Sequence, residues 1–216
     1  MHDPKGDERP GHLDDPGRSG ARQPERFDPR RADKLDEVSR FDYLPPEKVL
    51  RLLDPPSGGL IVDYGAGTGT YAICLARSRP DAAVIALDEQ PEMLERLRAK
   101  PEAQNLRNLR PVLPGEMEEF RGRADRVLAL NVLHELGDES LAELKSLLKD
   151  GGFALCIDWN AEADRPVGPP KDHVYTPAEA TRRLEGLGFS VERLDSLPYH
   201  YALRVRPECP IPDPDT

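Results

Sequence analysis

The 216-residue chain has only three cysteines, Cys74, Cys156 and Cys209, and none sits at CxxC spacing from another. An odd, scattered set argues against a disulfide framework and against a zinc knuckle, so no metal site is expected. No apolar run approaches the roughly 18 residues of a membrane-spanning helix, which predicts no membrane insertion. The opening stretch MHDPKGDERPGHLDDPGRSG lacks the apolar segment of a secretory signal. An excess of basic residues is missing too. Lys and Arg number 30 against 40 Asp and Glu, a net charge of −10. Nucleic acid is therefore not an expected partner, because phosphate binding draws on clustered cations. The expectation from these absences is a cytoplasmic protein.

What is present is unevenly distributed. Nine of the 23 prolines fall in residues 1–56 and nine in 166–216, leaving the middle free for an uninterrupted sheet. Residues 1–30 carry almost no large apolar side chain and cannot offset their own ordering entropy, so a disordered tail is predicted there. Apolar residues return from Phe27 to Leu53 and predict one or two short helices over 31–58, broken at Pro45-Pro46. The main domain is expected over 59–208, with a flexible end at 209–216.

Within that domain, short continuous apolar runs end in polar residues. Leu60-Ile61-Val62 ends in Asp63, Val84–Leu87 in Asp88, Val127–Leu130 in Asn131, and Phe153–Ile157 in Asp158. Runs apolar on both faces suit parallel strands covered by helices on either side. A weaker strand is placed near Leu109–Leu113. Helices are predicted at 69–79, after Pro91, from a capping Asp138 to Gly151-Gly152, and from the capping box Thr176-Pro177-Ala178-Glu179. Phe189–Leu194 is a further strand. The alternation of Tyr199, Tyr201, Leu203 and Val205 then predicts an antiparallel strand with one covered face. The fold class is α/β, a doubly wound sheet closing on a hairpin-like pair.

The strongest motif is Val62-Asp63-Tyr64-Gly65-Ala66-Gly67-Thr68-Gly69-Thr70, at a strand end just before a helix. Gly65 allows the tight turn, Gly67 lets a ligand approach the backbone, and Gly69 is expected to let the helix pack close to the strand. Dinucleotide binding by G-x-G-x-x-G needs glycine at position 70, which is Thr. Asp88 closes the second strand, where a carboxylate accepts hydrogen bonds from ribose hydroxyls. Asp63 entering the turn suits a ligand with an ammonium group better than a pyrophosphate.

In these segments the sequence resembles the class I S-adenosylmethionine-dependent methyltransferases, in the broad group of ubiquinone-biosynthesis and arsenite methyltransferases. The likeness rests on VDYGAGTGTYA, VIALDEQPEML, ADRVLALNVLHEL, LKDGGFALCIDW and LEGLGF, in that order, between about Val49 and Val205. It implies a Rossmann-like, mostly parallel sheet of seven strands with an antiparallel last strand. It also implies S-adenosylmethionine as cofactor, contacted by Asp63, Gly65, Ala66, Gly67, Asp88, Glu89, Asn131 and Val132, with Glu116 and Met117 at the adenine. Two departures stand out. Tyr64 replaces a smaller aliphatic residue, and Leu113–Glu116 lacks the usual Gly-Asp pair.

The implied activity is methyl transfer to a small-molecule acceptor whose identity the sequence leaves open, as it does the oligomeric state. His134 and Asp158 are the candidate catalytic residues, since both follow strand ends where open α/β sheets bind ligands. Glu135 and His173 are weaker candidates for acid–base work, and Trp159 for the pocket wall. Two alternatives stay open. One is a relative that binds the cofactor without turnover. The other, disfavoured by Thr70 and Asp63, is a nicotinamide-dependent oxidoreductase.

Overall fold

The structure is a computed structural model that describes residues 27–194 and 197–208. Seven strands form one sheet: β1 Leu60–Tyr64, β2 Ala83–Leu87, β3 Leu109–Val112, β4 Ala124–Leu130, β5 Leu148–Trp159, β6 Phe189–Arg193 and β7 His200–Pro207. Their order is β3-β2-β1-β4-β5-β7-β6, with β7 antiparallel to both neighbours and the other pairings parallel. The doubly wound, seven-stranded sheet with an antiparallel last strand is thus present as expected. The chain order reverses between β1 and β4, and at such a switch point the loops diverge and leave a crevice.

Among the described residues seven α-helices accompany the sheet: α1 Arg40–Tyr43, α2 Pro46–Leu53, α3 Thr70–Ser78, α4 Pro91–Ala99, α5 Pro101–Gln104, α6 Asp138–Leu147 and α7 Pro177–Gly186. Successive strand residues point to opposite faces, so the apolar runs supply two cores at once. Val62, Val127, Ala129 and Cys156 pack with Leu141 and Leu144 of α6 and Leu184 of α7. Ile61, Val84, Ala86 and Leu128 pack with Leu53 of α2, Leu75 of α3 and Leu94 of α4.

Several local expectations are corrected. Gly151-Gly152 does not end α6, which stops at Leu147; the pair lies inside β5. Gly151 takes φ +75°, and a Cβ on Gly152 would stand 2.8 Å from the Ala124 carbonyl, so a left-handed backbone at the first and strand contact at the second, rather than capping, select these glycines. Gly137, not Asp138, occupies the cap of α6. The capping box of α7 forms as read, with Thr176 Oγ1 accepting from the Glu179 amide at 3.2 Å. Strand β7 is covered on both faces at its start, since His200 and Ala202 are as buried as Tyr201 and Leu203. His200 is stacked on Tyr43 of α1 and lies against Trp159, long-range neighbours that an alternating pattern cannot reveal.

Residues 27–30, the last of the predicted tail, are among the described residues and make specific contacts. The Phe27 amide donates to Glu135 Oε2 at 3.0 Å, and its carbonyl accepts from Gln90 Nε2 at 3.2 Å. Pro29–Asp36 follows as a 3₁₀ helix. The remainder of the predicted tail, the predicted flexible end and Cys209 lie outside the described residues.

Candidate functional site

A cavity of about 740 Å³ opens at the carboxyl ends of β1, β2 and β4. Its floor is the glycine turn. The amides of Gly65 and Ala66 both donate to the Leu87 carbonyl, at 2.9 and 2.8 Å, and the Gly67 amide donates to Asp88 Oδ2 at 2.7 Å. All three amides are spent inside the protein, so at these positions the turn offers shape rather than free donors for a pyrophosphate. Gly65 has φ +74°, and a Cβ there would meet Val132 at 2.7 Å. Gly69 caps α3 at φ +76°, where a Cβ would collide with Leu97 of α4. The close approach it permits is therefore to a helix, not to the expected strand.

Two acids bracket the turn. Asp63 is 3% exposed, and burial with the nearby Asp88 charge pushes its pKa up to about 7. Asp88 is also shifted upward, by burial, although it accepts from the amides of Gly67 and Gln90. Asn131 stands in the left-handed region at φ +57°, which few residues other than glycine or asparagine tolerate. Its Oδ1 is buried without a partner among the described residues, and so is Oε1 of Gln90.

An N-terminal strap runs along the cavity. Asp36 accepts from Thr68 Oγ1 at 2.6 Å and Thr70 Oγ1 at 2.9 Å, and pairs with Lys100 Nζ at 2.6 Å. Burial opposes its charge, yet the hydrogen bonds from Lys100, Thr68 and Thr70 outweigh it and hold its carboxyl below the usual range. Leu35 packs over Gly67, and both Leu35 and Phe27 line the cavity.

On the opposite side lies an acidic wall. Tyr64 lines it, with its hydroxyl 2.9 Å from Glu143 Oε2 and 3.2 Å from the Ser140 carbonyl. Glu135 lines it too, and burial pushes its pKa up to about 7. Behind Glu135, His134 Nε2 is 3.6 Å from its carboxylate, and His134 Nδ1 is 2.9 Å from both oxygens of Asp158. Asp158 is fully buried and also accepts from the amides of His134 and Trp159, at 2.9 and 2.7 Å. Burial would lower the His134 pKa, but the charge and hydrogen bond of Asp158 outweigh it, and the net shift is upward.

The structure thus gathers Asp63, Gly65, Ala66, Gly67, Asp88, Glu89, Asn131 and Val132 around one cavity. It separates others. Met117 is buried in the core beneath β2 and β4, and Glu116 caps its own turn by accepting from the Leu113 amide at 2.9 Å, so Pro114 takes their place in the lining. His134 and Asp158 touch each other but stand behind the wall, and Glu135 is the member that reaches the cavity. His173 is exposed, and Trp159 packs with Tyr43 and His200. Phe27, Leu35 and Arg40 were not legible as site residues; nothing in their local sequence marks them.

A crevice at the switch point, acids at the ends of β1 and β2, and a turn whose Gly65, Ala66 and Gly67 amides are already paired define a nucleoside-binding site of a doubly wound α/β protein. Comparison with known proteins agrees. The methyltransferase domain family matches residues 61–152. A solved structure, an S-adenosylmethionine-dependent methyltransferase from Aquifex aeolicus, is 30% identical and superposes with a TM-score of 0.75, over 83% of this chain and 98% of that one. The chain belongs to the S-adenosylmethionine-dependent methyltransferases. Two curated relatives match shorter stretches. A malonyl-[acyl-carrier protein] O-methyltransferase of Herminiimonas arsenicoxydans is 32% identical over 71 residues, 33% of this chain and 27% of that protein. A tRNA (guanine-N(7)-)-methyltransferase of Rhodopseudomonas palustris is 30% identical over 90 residues, 42% of this chain and 31% of that protein. The chain therefore spans under a third of each curated relative it matches.

The residues present fit the family's cofactor. Two buried oxygens, on Asn131 and Gln90, lack a donor among the described residues, and the carboxylates of Asp63 and Asp88 line the same cavity, the chemistry that an ammonium and ribose hydroxyls call for. Among the described residues no helix is long and apolar enough to cross a membrane, and no cluster of ligating side chains could hold a metal ion.

Proposed function

We propose that the protein transfers the methyl group of S-adenosylmethionine to a small-molecule acceptor in this cavity. The observation that carries the reading is one cavity of about 740 Å³ joining the glycine turn to Glu135 under a strap of the protein's own chain. That space suits a cofactor and a modest acceptor rather than a folded macromolecule. Its acidic lining and the net charge of −10 speak against tRNA as acceptor. No thiol lines it among the described residues, which speaks against arsenite.

Asp63 and the Asn131 amide oxygen would accept the cofactor's ammonium, and Asp88 its ribose hydroxyls. Glu89, Val132 and the backbone of Gly65, Ala66 and Gly67 would shape the rest of that side. When bound, S-adenosylmethionine supplies a methyl group already activated on a sulfonium. The protein then has to align the acceptor, exclude water and, for a protonated nucleophile, take up one proton. Glu135 is placed for that last task. With a pKa of about 7 its carboxylate is a stronger base than an ordinary glutamate and still ionises near neutral pH. His134, fixed by Asp158, holds Glu135 in place and favours its ionised form, since the His134 charge lowers the Glu135 pKa. His134 and Asp158 act in this reading as positioning residues.

The test has two parts. Calorimetry is expected to show binding of S-adenosylhomocysteine and none of NAD; the reverse result would overturn the cofactor assignment. Incubation with fractionated metabolite extracts and S-adenosylmethionine is expected to release S-adenosylhomocysteine in a low-mass fraction. Release only with RNA or protein fractions would refute a small-molecule acceptor.

A further inference from the structure

We propose that Arg183, which does not itself line the cavity, is the positioning residue of the wall that carries Glu135. The inference rests on the reading of Glu135 as the cavity's proton acceptor. It assigns a residue on α7, outside the matched family segment 61–152. His134 and Glu135 sit on a single 3₁₀ turn, Leu133–Glu135, between β4 and α6. So short a turn makes few hydrogen bonds of its own. The Glu135 amide donates to the Val132 carbonyl at 2.8 Å, and the Leu136 amide to the Leu133 carbonyl at 3.4 Å. Arg183 closes the turn from outside. Nη1 donates to the Leu133 carbonyl at 3.3 Å and to the Tyr175 hydroxyl at 3.2 Å. Nη2 donates to the Leu136 carbonyl at 2.6 Å and to Asp138 Oδ1 at 2.9 Å. The guanidinium thus grips the first residue of the turn, the residue that follows it and the first residue of α6. A planar fork of donors is shaped to span both carbonyls, and the point charge of a lysine is not.

The clamp has a rigid base. The start of α7 is fixed by the Thr176–Glu179 capping box, and its Ala180 and Leu184 are buried in the same core as Leu133 and Leu136. The Arg183 guanidinium carbon lies 5.5 Å from the centre of the Tyr175 ring. Tyr175 stands at the far end of the loop that leaves β5, its carbonyl accepting from the Ala161 amide at 3.2 Å. Arg183 therefore ties the loop after β4 to the loop after β5. What the clamp sets is the burial of Glu135. That carboxylate is faced by His134 on its own turn, Asp158 on β5, Asp88 at the end of β2 and the Phe27 amide of the strap. Burial is the main reason for its raised pKa. With the clamp released, the turn loosens and Glu135 reaches water. The sign of the effect is diagnostic, because losing a nearby positive charge raises a carboxyl pKa, whereas losing burial lowers this one.

Carbon-13 NMR titration of the side-chain carboxyls of the full-length chain tests this, with E135Q and D63N assigning the two signals. In the parent, Glu135 is expected to titrate near pH 7. R183M is expected to lower that midpoint by about one pH unit or more, and to leave that of Asp63, which no bond of the clamp reaches, within about 0.3 unit. R183K is expected to fall between R183M and the parent. An unchanged or raised Glu135 midpoint in R183M would overturn the proposal. So would a parallel fall of Glu135 and Asp63, the mark of a general loosening. Should R183M fail to fold, R183K decides, and a parent-like Glu135 midpoint there would overturn the proposal. An ordinary glutamate midpoint in the parent would instead remove Glu135 as the proton acceptor, and the role of the clamp with it.

Discussion

Replacing Asp63 with Asn should stabilise the ligand-free protein at neutral pH while weakening its hold on the cofactor. The Asp63 pKa is raised from 3.8 to about 7, first by burial and then by the Asp88 charge. Between those values the folded state binds a proton that the unfolded state has lost. Stability from this group is therefore full below the unfolded pKa and falls as pH rises, at about 1.4 kcal/mol per pH unit, until it levels off above about pH 7. Integrated from pH 5 to 7.5, the loss is about 2–3 kcal/mol. Other groups titrate in the same window. Glu135, also raised to about 7, has the same sign. His200, pushed down to about 3 by burial, has the opposite one, because its unfolded form binds the extra proton. The total pH dependence is thus a mixture, but the difference between D63N and the parent isolates Asp63. Urea denaturation of both proteins at a series of pH values is the assay. The gap between the two curves should widen by about 2–3 kcal/mol between about pH 5 and pH 7.5, with D63N gaining on the parent. A constant difference across that range would refute the reasoning. It would mean that Asp63 keeps an ordinary pKa and that the acids of the turn are not in conflict without a ligand.

Three further outcomes are expected. Turnover should rise through about pH 7 as Glu135 ionises, E135Q should lower it about 10²- to 10³-fold, and H134N should move the rising limb to higher pH; a fully active E135Q would remove Glu135 from proton transfer. Gly69→Ala should cost about 2–4 kcal/mol in urea denaturation, from the left-handed backbone and the collision with Leu97 together. Deleting residues 1–25 should leave the melting temperature unchanged, whereas deletion through Asp36 should lower it by several degrees, as the bonds to Thr68, Thr70 and Lys100 are lost; equal melting temperatures would show that the strap adds no stability.

The contrast between the two deletions marks where sequence reasoning stopped. Residues 27–30 fall in the predicted tail, and nothing local marks 27–36 as a strap, because its contacts are isolated groups reaching distant partners: the Phe27 backbone to Glu135 and Gln90, the Asp36 carboxylate to Lys100. Such contacts leave no period in the sequence. Glu135 was undervalued for a related reason. Nothing beside it in the chain marks it as buried, and only the burial that the fold imposes sets its ionisation.

The sequence by itself determined the sheet, its parallel core and the place of the site. Apolar runs with polar ends are a local code for buried parallel strands, and three glycines after Asp63 can be satisfied by few backbones. Tertiary structure alone decided which acids reach the cavity, that His134 and Asp158 pair behind its wall, and that Arg40 is its one cation among the described residues. Those outcomes depend on how far apart in the chain two groups are when the fold brings them together, and no local pattern encodes that distance.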